Sequence, residues 1–366
     1  MNSRIALVIG SLESLAGGTE QHLLTLAEGL PGRGFDVDIS CVAGTTFVAS
    51  GGAPFPVRVL ASGRKGRWRL ESVRSLVADW RRERPSACVA YFDAAQFACV
   101  GASILSGALP VLAARRNLGV LRARHSLVEM KLLDRFVSRF VCNAEAVRRD
   151  VEAREGIPSK RTVVLYNGID TRTVPPGDWR AAHGIGPEAV LVACVAGHRP
   201  VKGVDVFLKA FARAAAGYPQ AMCVLAGDGP QRGELEAQVR ASDLTGRVFF
   251  EGRSAGVRPL LAECQVGALS SHSEGFSTAV VEYMAAALPT VLTDVGGNSE
   301  AVREGVDGFL VPDGDEAMFG ERLTRLLRDP ALRRSMGESA RERARIRFER
   351  EVMLDRMAEI LREVTH

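Results

Sequence analysis

VGALSSHSEGFSTAVVEYMAAALPTVLTDVGGNSE, residues 266–300, reads as a strand, a loop, a helix, a second strand and a second loop. The apolar run 266–269 is stopped by two serines and suits a buried strand. Ser277 or Thr278 can cap a helix expected over 278–287. Leu288-Pro289 ends that helix, and the run 290–293 is the next strand. Two strands joined by one helix within 28 residues form the crossover unit of a parallel sheet.

The same rhythm extends in both directions. Strands are expected at 5–9, 37–41, 57–60, 88–91, 111–114, 139–142 and 163–166, with a first helix over 19–29. Residues 171–187, TRTVPPGDWRAAHGIGP, interrupt the pattern and read as a linker or loosely packed connector. Alternation resumes with strands at 189–196, 222–227, 248–250, 266–269, 290–293 and 308–311. Helices are expected over 205–216, 232–241, 257–262 and 298–303, and from about 315 the chain is helical. The fold class is therefore α/β, with two doubly wound, Rossmann-like parallel-sheet domains. Ligands of such sheets bind outside the carboxyl ends of the strands, which places the expected site in a central cleft that both domains face.

A chain of 366 residues with 46% hydrophobic and 25% charged residues is neither disordered nor fibrous. Its net charge of +4 gives no reason to expect nucleic acid as a partner. The charge is uneven: residues 1–176 hold 24 Lys and Arg against 16 Asp and Glu, and the remainder 23 against 27. That asymmetry is consistent with an anionic partner for the first half, or with a solvated arginine-rich face. Seven cysteines without a CxxC pair read as buried thiols in a reducing cytoplasm. The six histidines lack ligand spacing, so no metal is expected. The uncharged stretch 94–114 is long enough to span a bilayer, but Gly107 and Pro110 divide it into a helix, a turn and a strand.

Three loops carry candidate chemistry. In 270–300, Glu274 lies in a loop and Glu282 about one turn inside the helix, seven residues apart. Gly275 allows close backbone approach, and the free N–H groups around Phe276, Ser277 and Thr278 form an anion site at the positive end of the helix dipole. Carboxylates accept hydrogen bonds from vicinal hydroxyls while amides hold phosphate, so the pairing suits a sugar phosphate. In VAGHRPVKG, residues 195–203, Arg199 and Lys202 follow a strand, as a diphosphate would require. After the first strand, Gly17-Gly18-Thr19-Glu20 brings bare backbone to a helix start.

Taken together and in this order, these loops resemble the retaining glycosyltransferases of family 4, which have the GT-B fold. VLYNGID (164–170), VLAGDGP (224–230), FFEGR (249–253) and TDVGGNSEAV (293–302) are further matches, and the resemblance covers nearly the whole chain. It implies a nucleotide-diphosphate sugar as co-substrate, UDP before GDP, and a hexosyl transfer that retains configuration without cofactor or metal. The acceptor would be a hydroxyl of a glycan, glycolipid or small molecule. By the same resemblance Glu282 binds ribose hydroxyls and Glu274 those of the transferred sugar. Lys202, Arg199 and the amides of 276–278 hold the diphosphate, Gly252-Arg253 contacts the base, and Gly17-Gly18 approaches phosphate or acceptor. The implied domains are 1–172, joined by a terminal helix 348–366, and 173–347.

Two positions depart from the family pattern. Gly197 stands where a family arginine is common, so Arg199 is expected to supply that cation. Arg116 or Asn117 stands in place of the usual N-terminal-domain histidine. The basic stretches 62–69, with Trp68, and 115–124 suit either a solvated surface or peripheral contact with a membrane and a lipid-linked acceptor. The chain is expected to be cytoplasmic, as monomer or homodimer. Two rivals remain. Gly227-Asp228-Gly229 with Glu251 mimics the fingerprint of an NAD(P)-dependent oxidoreductase. A non-catalytic two-domain sugar-binding protein would share the architecture.

Overall fold

The computed structural model describes residues 2–15, 17–61, 67–118, 124–253 and 256–365, with backbone alone at 124–128. It divides the chain into two compact units, residues up to Gly168 together with those from Arg350 onward, and Ile169–Glu349.

Among the described residues, the first unit holds a seven-stranded parallel sheet. Its strands are β1 (Ser3–Ser11), β2 (Phe35–Ala43), β3 (Val57–Ala61), β4 (Ala87–Tyr91), β5 (Val111–Arg115), β6 (Arg139–Cys142) and β7 (Thr162–Val164), in the order β3-β2-β1-β4-β5-β6-β7. The second unit holds six parallel strands. These are β8 (Val190–Val195), β9 (Ala221–Ala226), β10 (Val248–Gly252), β11 (Val266–Leu269), β12 (Thr290–Thr293) and β13 (Gly308–Val311), in the order β10-β9-β8-β11-β12-β13. In each sheet the order reverses once, between β1 and β4 and between β8 and β11. Loops at such a reversal diverge to opposite faces and leave a crevice at the strands' carboxyl ends. The uncharged stretch is the helix Phe92–Ser106 followed by β5. No described helix is long and apolar enough to cross a membrane.

Each sheet is buried by amphipathic helices. In the second unit, Val204–Ala216 places Val204, Phe207, Leu208 and Phe211 inward at the three- and four-residue spacing of one helix face. In the first, the terminal helix Arg350–Thr365 buries Met353, Leu354, Met357, Ile360 and Leu361 against the cluster of Leu23, Leu26 and Leu30. Each such side chain contributes about 1.5–3 kcal/mol when fully buried. Arg33 fixes that helix from outside through Glu351 and Asp355, both at 2.7 Å. All seven cysteines are buried and free.

The segment 171–187 is more firmly placed than its composition suggests. Trp179 is 7% exposed and packs with Leu191, Leu260 and Leu261. Its Nε1 donates to Glu251 at 2.6 Å. Glu263 accepts from the backbone N–H of Trp179 and of Arg180, capping the short helix Trp179–Ala182. The Arg180 guanidinium donates to the carbonyls of Glu263, Gly186 and Ala189. The connector is thus pinned by partners about 80 residues away, which no local pattern reports.

Candidate functional site

Three loops of the second unit meet at the sheet reversal. Residues 196–203 follow β8, 270–277 follow β11, and 294–297 follow β12. Ser270 Oγ donates to the Gly203 carbonyl at 2.7 Å, and the His272 N–H donates to the Val201 carbonyl at 2.9 Å. Gly203 has φ +55, and a Cβ there would strike the Ser270 carbonyl. Gly296, also at φ +55, lies so close over the Glu274 carbonyl that it has no room for a side chain. The Gly297 N–H donates to the Gly275 carbonyl at 2.9 Å.

This packing brings together residues 72 positions apart: Lys202 Nζ stands 2.6 Å from Glu274 Oε1. Glu274 is only 8% exposed and also accepts from Ser271 Oγ at 2.7 Å. Ser271 is a supporting residue that the sequence reading did not single out. Ser277 occupies the N-cap of the helix Thr278–Ala285, yet its hydroxyl makes no capping bond. The side-chain cap expected of Ser277 is therefore absent, although its backbone, at φ −77 and ψ 118, has the extended conformation usual for an N-cap. Phe276 is buried against Phe348 and holds the loop down.

Glu282 lies on that helix, half-buried. Burial pushes its carboxyl up to about 7, and the Arg258 charge offsets this in part. Arg258, another residue the sequence reading missed, also reaches the Arg172 carbonyl. Arg199 is exposed, and its Nε lies 4.0 Å from where a Cβ on Gly197 would stand. Residues 197–199 form a tight turn, in which the Arg199 N–H donates to the Gly197 carbonyl at 2.8 Å. His198 is buried edge-on against Phe250, and its pKa is lowered by that burial. Gly252, at φ +75, ends β10 beside the exposed Arg253. Gly227 and Gly229 press on the carbonyls of Ala196 and His198, and Glu251 is engaged by Trp179. The fingerprint-like residues are thus used in packing loops against one another.

In the first unit, Gly17 and Gly18 begin the helix Gly18–Gly29. Arg116 follows β5 and donates to the Gly18 carbonyl (3.3 Å), Thr19 Oγ1 (3.2 Å) and Asn167 Oδ1 (2.6 Å). Asn117 is exposed. Arg115 does not belong to a basic face: it is 5% exposed and paired with Asp134 at 3.0 Å and Glu155 at 2.9 Å. Arg69 pairs with Glu129 at 2.7 Å and lies over the rings of Trp68 and Phe97. Arg67 is exposed, while positions 62–66 and 119–123 and the side chains of Arg124 and His125 lie outside the described residues. Among the described residues, no group of three or more His, Cys, Asp or Glu side chains could hold a metal ion.

Two Rossmann-like units, each with one sheet reversal, have the architecture of the GT-B glycosyltransferases. Glycosyltransferase Family 4 matches residues 16–173, and Glycosyl transferases group 1 matches residues 177–343. The chain belongs to this glycosyltransferase family. It is 31% identical over 210 residues to the N-acetyl-alpha-D-glucosaminyl L-malate synthase of Bacillus anthracis, covering 57% of this chain and 55% of that protein. To the D-inositol 3-phosphate glycosyltransferase of Kribbella flavida it is 28% identical over 220 residues, 56% and 52% of the two chains. It thus spans about half the length of the curated relatives it matches. Among solved structures, HepE of Anabaena in complex with UDP and glucose superposes with a TM-score of 0.85 at 23% identity, over 98% of this chain and 99% of that one. A sucrose-phosphate synthase of Thermosynechococcus elongatus gives 0.83 at 21% identity, over 99% of each. These two share the fold.

Proposed function

We propose that the chain transfers a hexose from a UDP-sugar to an acceptor hydroxyl, with retention of configuration and without a divalent metal. The observation that carries this reading is the Lys202–Glu274 contact at 2.6 Å, beside an uncapped helix start and one helical turn from Glu282. In this reading the backbone amides of 276–278, with Lys202 and Arg199, take the diphosphate. Glu274 takes sugar hydroxyls and Glu282 those of the ribose, while Gly252 and Arg253 border the base. Preorganised cations and amides that meet the charge growing on the departing diphosphate lower the barrier without solvent reorganisation. Gly17, Gly18, Arg116 and Asn117 would act at the phosphate or the acceptor.

UDP as the nucleotude part is supported by its presence, with glucose, in the HepE complex. The curated relatives' names point to sugar acceptors of differing chemistry, malate in one and inositol 3-phosphate in the other. Seven buried free thiols suit a reducing cytoplasm. The test is nucleotide release from a panel of UDP- and GDP-sugars, with and without EDTA, and the product's anomeric configuration by NMR. Stabilisation by UDP but not by NADH is expected. Stabilisation by NADH alone, with no donor hydrolysed, would overturn the assignment.

A further inference from the structure

The turn that carries Lys202 is gripped by alternate residues of the loop after β11. Ser270 Oγ donates to the Gly203 carbonyl at 2.7 Å, and the His272 N–H donates to the Val201 carbonyl at 2.9 Å. Glu274 takes the Lys202 ammonium at 2.6 Å. Two of these grips are secured by burial, since Ser270 is inaccessible and the nearly buried Glu274 is also bonded to Ser271. His272 is different. Its side chain is 40% exposed, and a carboxylate from another loop steadies it: Asp313 Oδ1 stands 2.6 Å from the imidazole Nδ1. A carboxylate accepts, so Nδ1 is the donor and the plane of the ring is fixed. The other nitrogen, Nε2, lies over Gly203, 3.3 Å from where a Cβ there would stand.

Asp313 is itself firmly placed. It lies two residues after β13, and Asp315 next along caps the helix Glu316–Arg328 by accepting from the Met318 N–H at 2.9 Å. That helix packs on Val204–Ala216, with Phe319 edge-on to Phe207 and Glu316 paired with Lys209 at 3.0 Å. Gly203 is the residue from which Val204–Ala216 starts. The Asp313–His272 pair therefore ties the outer side of the Lys202 turn to the helical layer on which the turn rests. An ion pair this exposed contributes only about 0–1 kcal/mol to stability. Its consequence lies in where it holds the loop.

We propose that Asp313, acting through the His272 imidazole, is a positioning residue that fixes the turn 200–203 and so keeps the Lys202 ammonium in register for the departing diphosphate. The role given to Lys202 rests on the transferase reading; the tie between the loops does not.

Two measurements on the full chain test this, nucleotide release from UDP-glucose and hydrogen exchange of the backbone amides. They are made on the wild type, Asp313→Ala, Asp313→Asn, Lys202→Ala and the double variant Lys202→Ala with Asp313→Ala. Asp313→Ala should lower kcat about tenfold with KM within about twofold, because Lys202 meets charge that grows only in the transition state. Its Tm should fall by no more than about 4 °C. The amides of His272, Lys202 and Gly203, all hydrogen-bonded within these loops, should exchange at least about fivefold faster, with those of β8 unchanged. Asp313→Asn keeps an acceptor for Nδ1–H and should recover at least about half of the wild-type kcat. In the Lys202→Ala background, Asp313→Ala should change kcat by less than about twofold, since the residue through which it acts is gone. An equal tenfold loss in both backgrounds overturns the proposal, and so do wild-type kcat and wild-type exchange in Asp313→Ala. A wild type that releases nucleotide from no UDP- or GDP-sugar overturns the transferase reading instead, while faster exchange in Asp313→Ala keeps the tie between the loops.

Discussion

Glu282 couples the stability of the second unit to pH. Its carboxyl has an ordinary value of 4.5 in the unfolded chain and about 7 in the fold, chiefly through burial. That difference corresponds to roughly 3 kcal/mol in favour of the protonated form, and the residual exposure of Glu282 reduces it to about 2 kcal/mol. Below pH 4.5 both states carry the proton and there is no penalty. Between 4.5 and 7 the unfolded chain ionises first, so stability falls as pH rises; above 7 the whole penalty is present. Glu282→Gln keeps the shape and removes the ionisation. Relative to the wild type it should therefore gain about 2 kcal/mol between pH 4.5 and pH 8. For a unit of this size that is a relative rise in Tm of roughly 4–8 °C, measured by thermal melts of both proteins at each pH. The same substitution should weaken UDP-glucose binding by about tenfold or more at pH 8, because a hydrogen bond to a charged carboxylate is lost. In the wild type, affinity should decline as pH drops below 7. A Tm difference between the two proteins that is the same at pH 4.5 and pH 8 would refute the assignment of a destabilised carboxylate at this position.

Three other substitutions test the framework. Lys202→Ala leaves Glu274 buried with only the Ser271 hydroxyl, and should cost about 2 kcal/mol in melts and at least 100-fold in nucleotide release. Trp179→Ala opens the core between Leu191, Leu260 and Leu261, and should cost about 3–5 kcal/mol, seen as a lower Tm; an unchanged Tm would restore the loose-connector description. Gly296→Ala puts a Cβ against the Glu274 carbonyl at positive φ, and should abolish saturable UDP-glucose binding while the circular dichroism spectrum stays native.

The crossover units were legible because their determinants are local. Short apolar runs bounded by Ser, Gly and Pro located β11 and β12, and the 28 residues from 266 to 293 contain everything that unit needs. The loops at strand ends were legible for the same reason, since Gly, Glu, Arg and Lys at fixed offsets from a strand need no distant partner to be noticed. Trp179 and Arg180 were misjudged because the carboxylate that caps their helix, Glu263, lies more than 80 residues away.

The amino-acid sequence by itself determined two alternating α/β halves, and placed Glu274, Arg199 and Lys202 in loops at strand ends and Glu282 in the helix that follows one of them. Propensity, hydrophobic period and turn chemistry act over a few residues, and that is enough for such assignments. Only the tertiary structure decided the charges. Arg115 and Arg116 are adjacent and chemically identical, yet one meets Asp134 and Glu155 while the other meets only neutral groups. Glu274 and Glu282 differ as sharply, the first held by Lys202 and the second pushed toward neutrality by burial. Electrostatic energy depends on distance and desolvation, and both are fixed only when elements distant in sequence have packed.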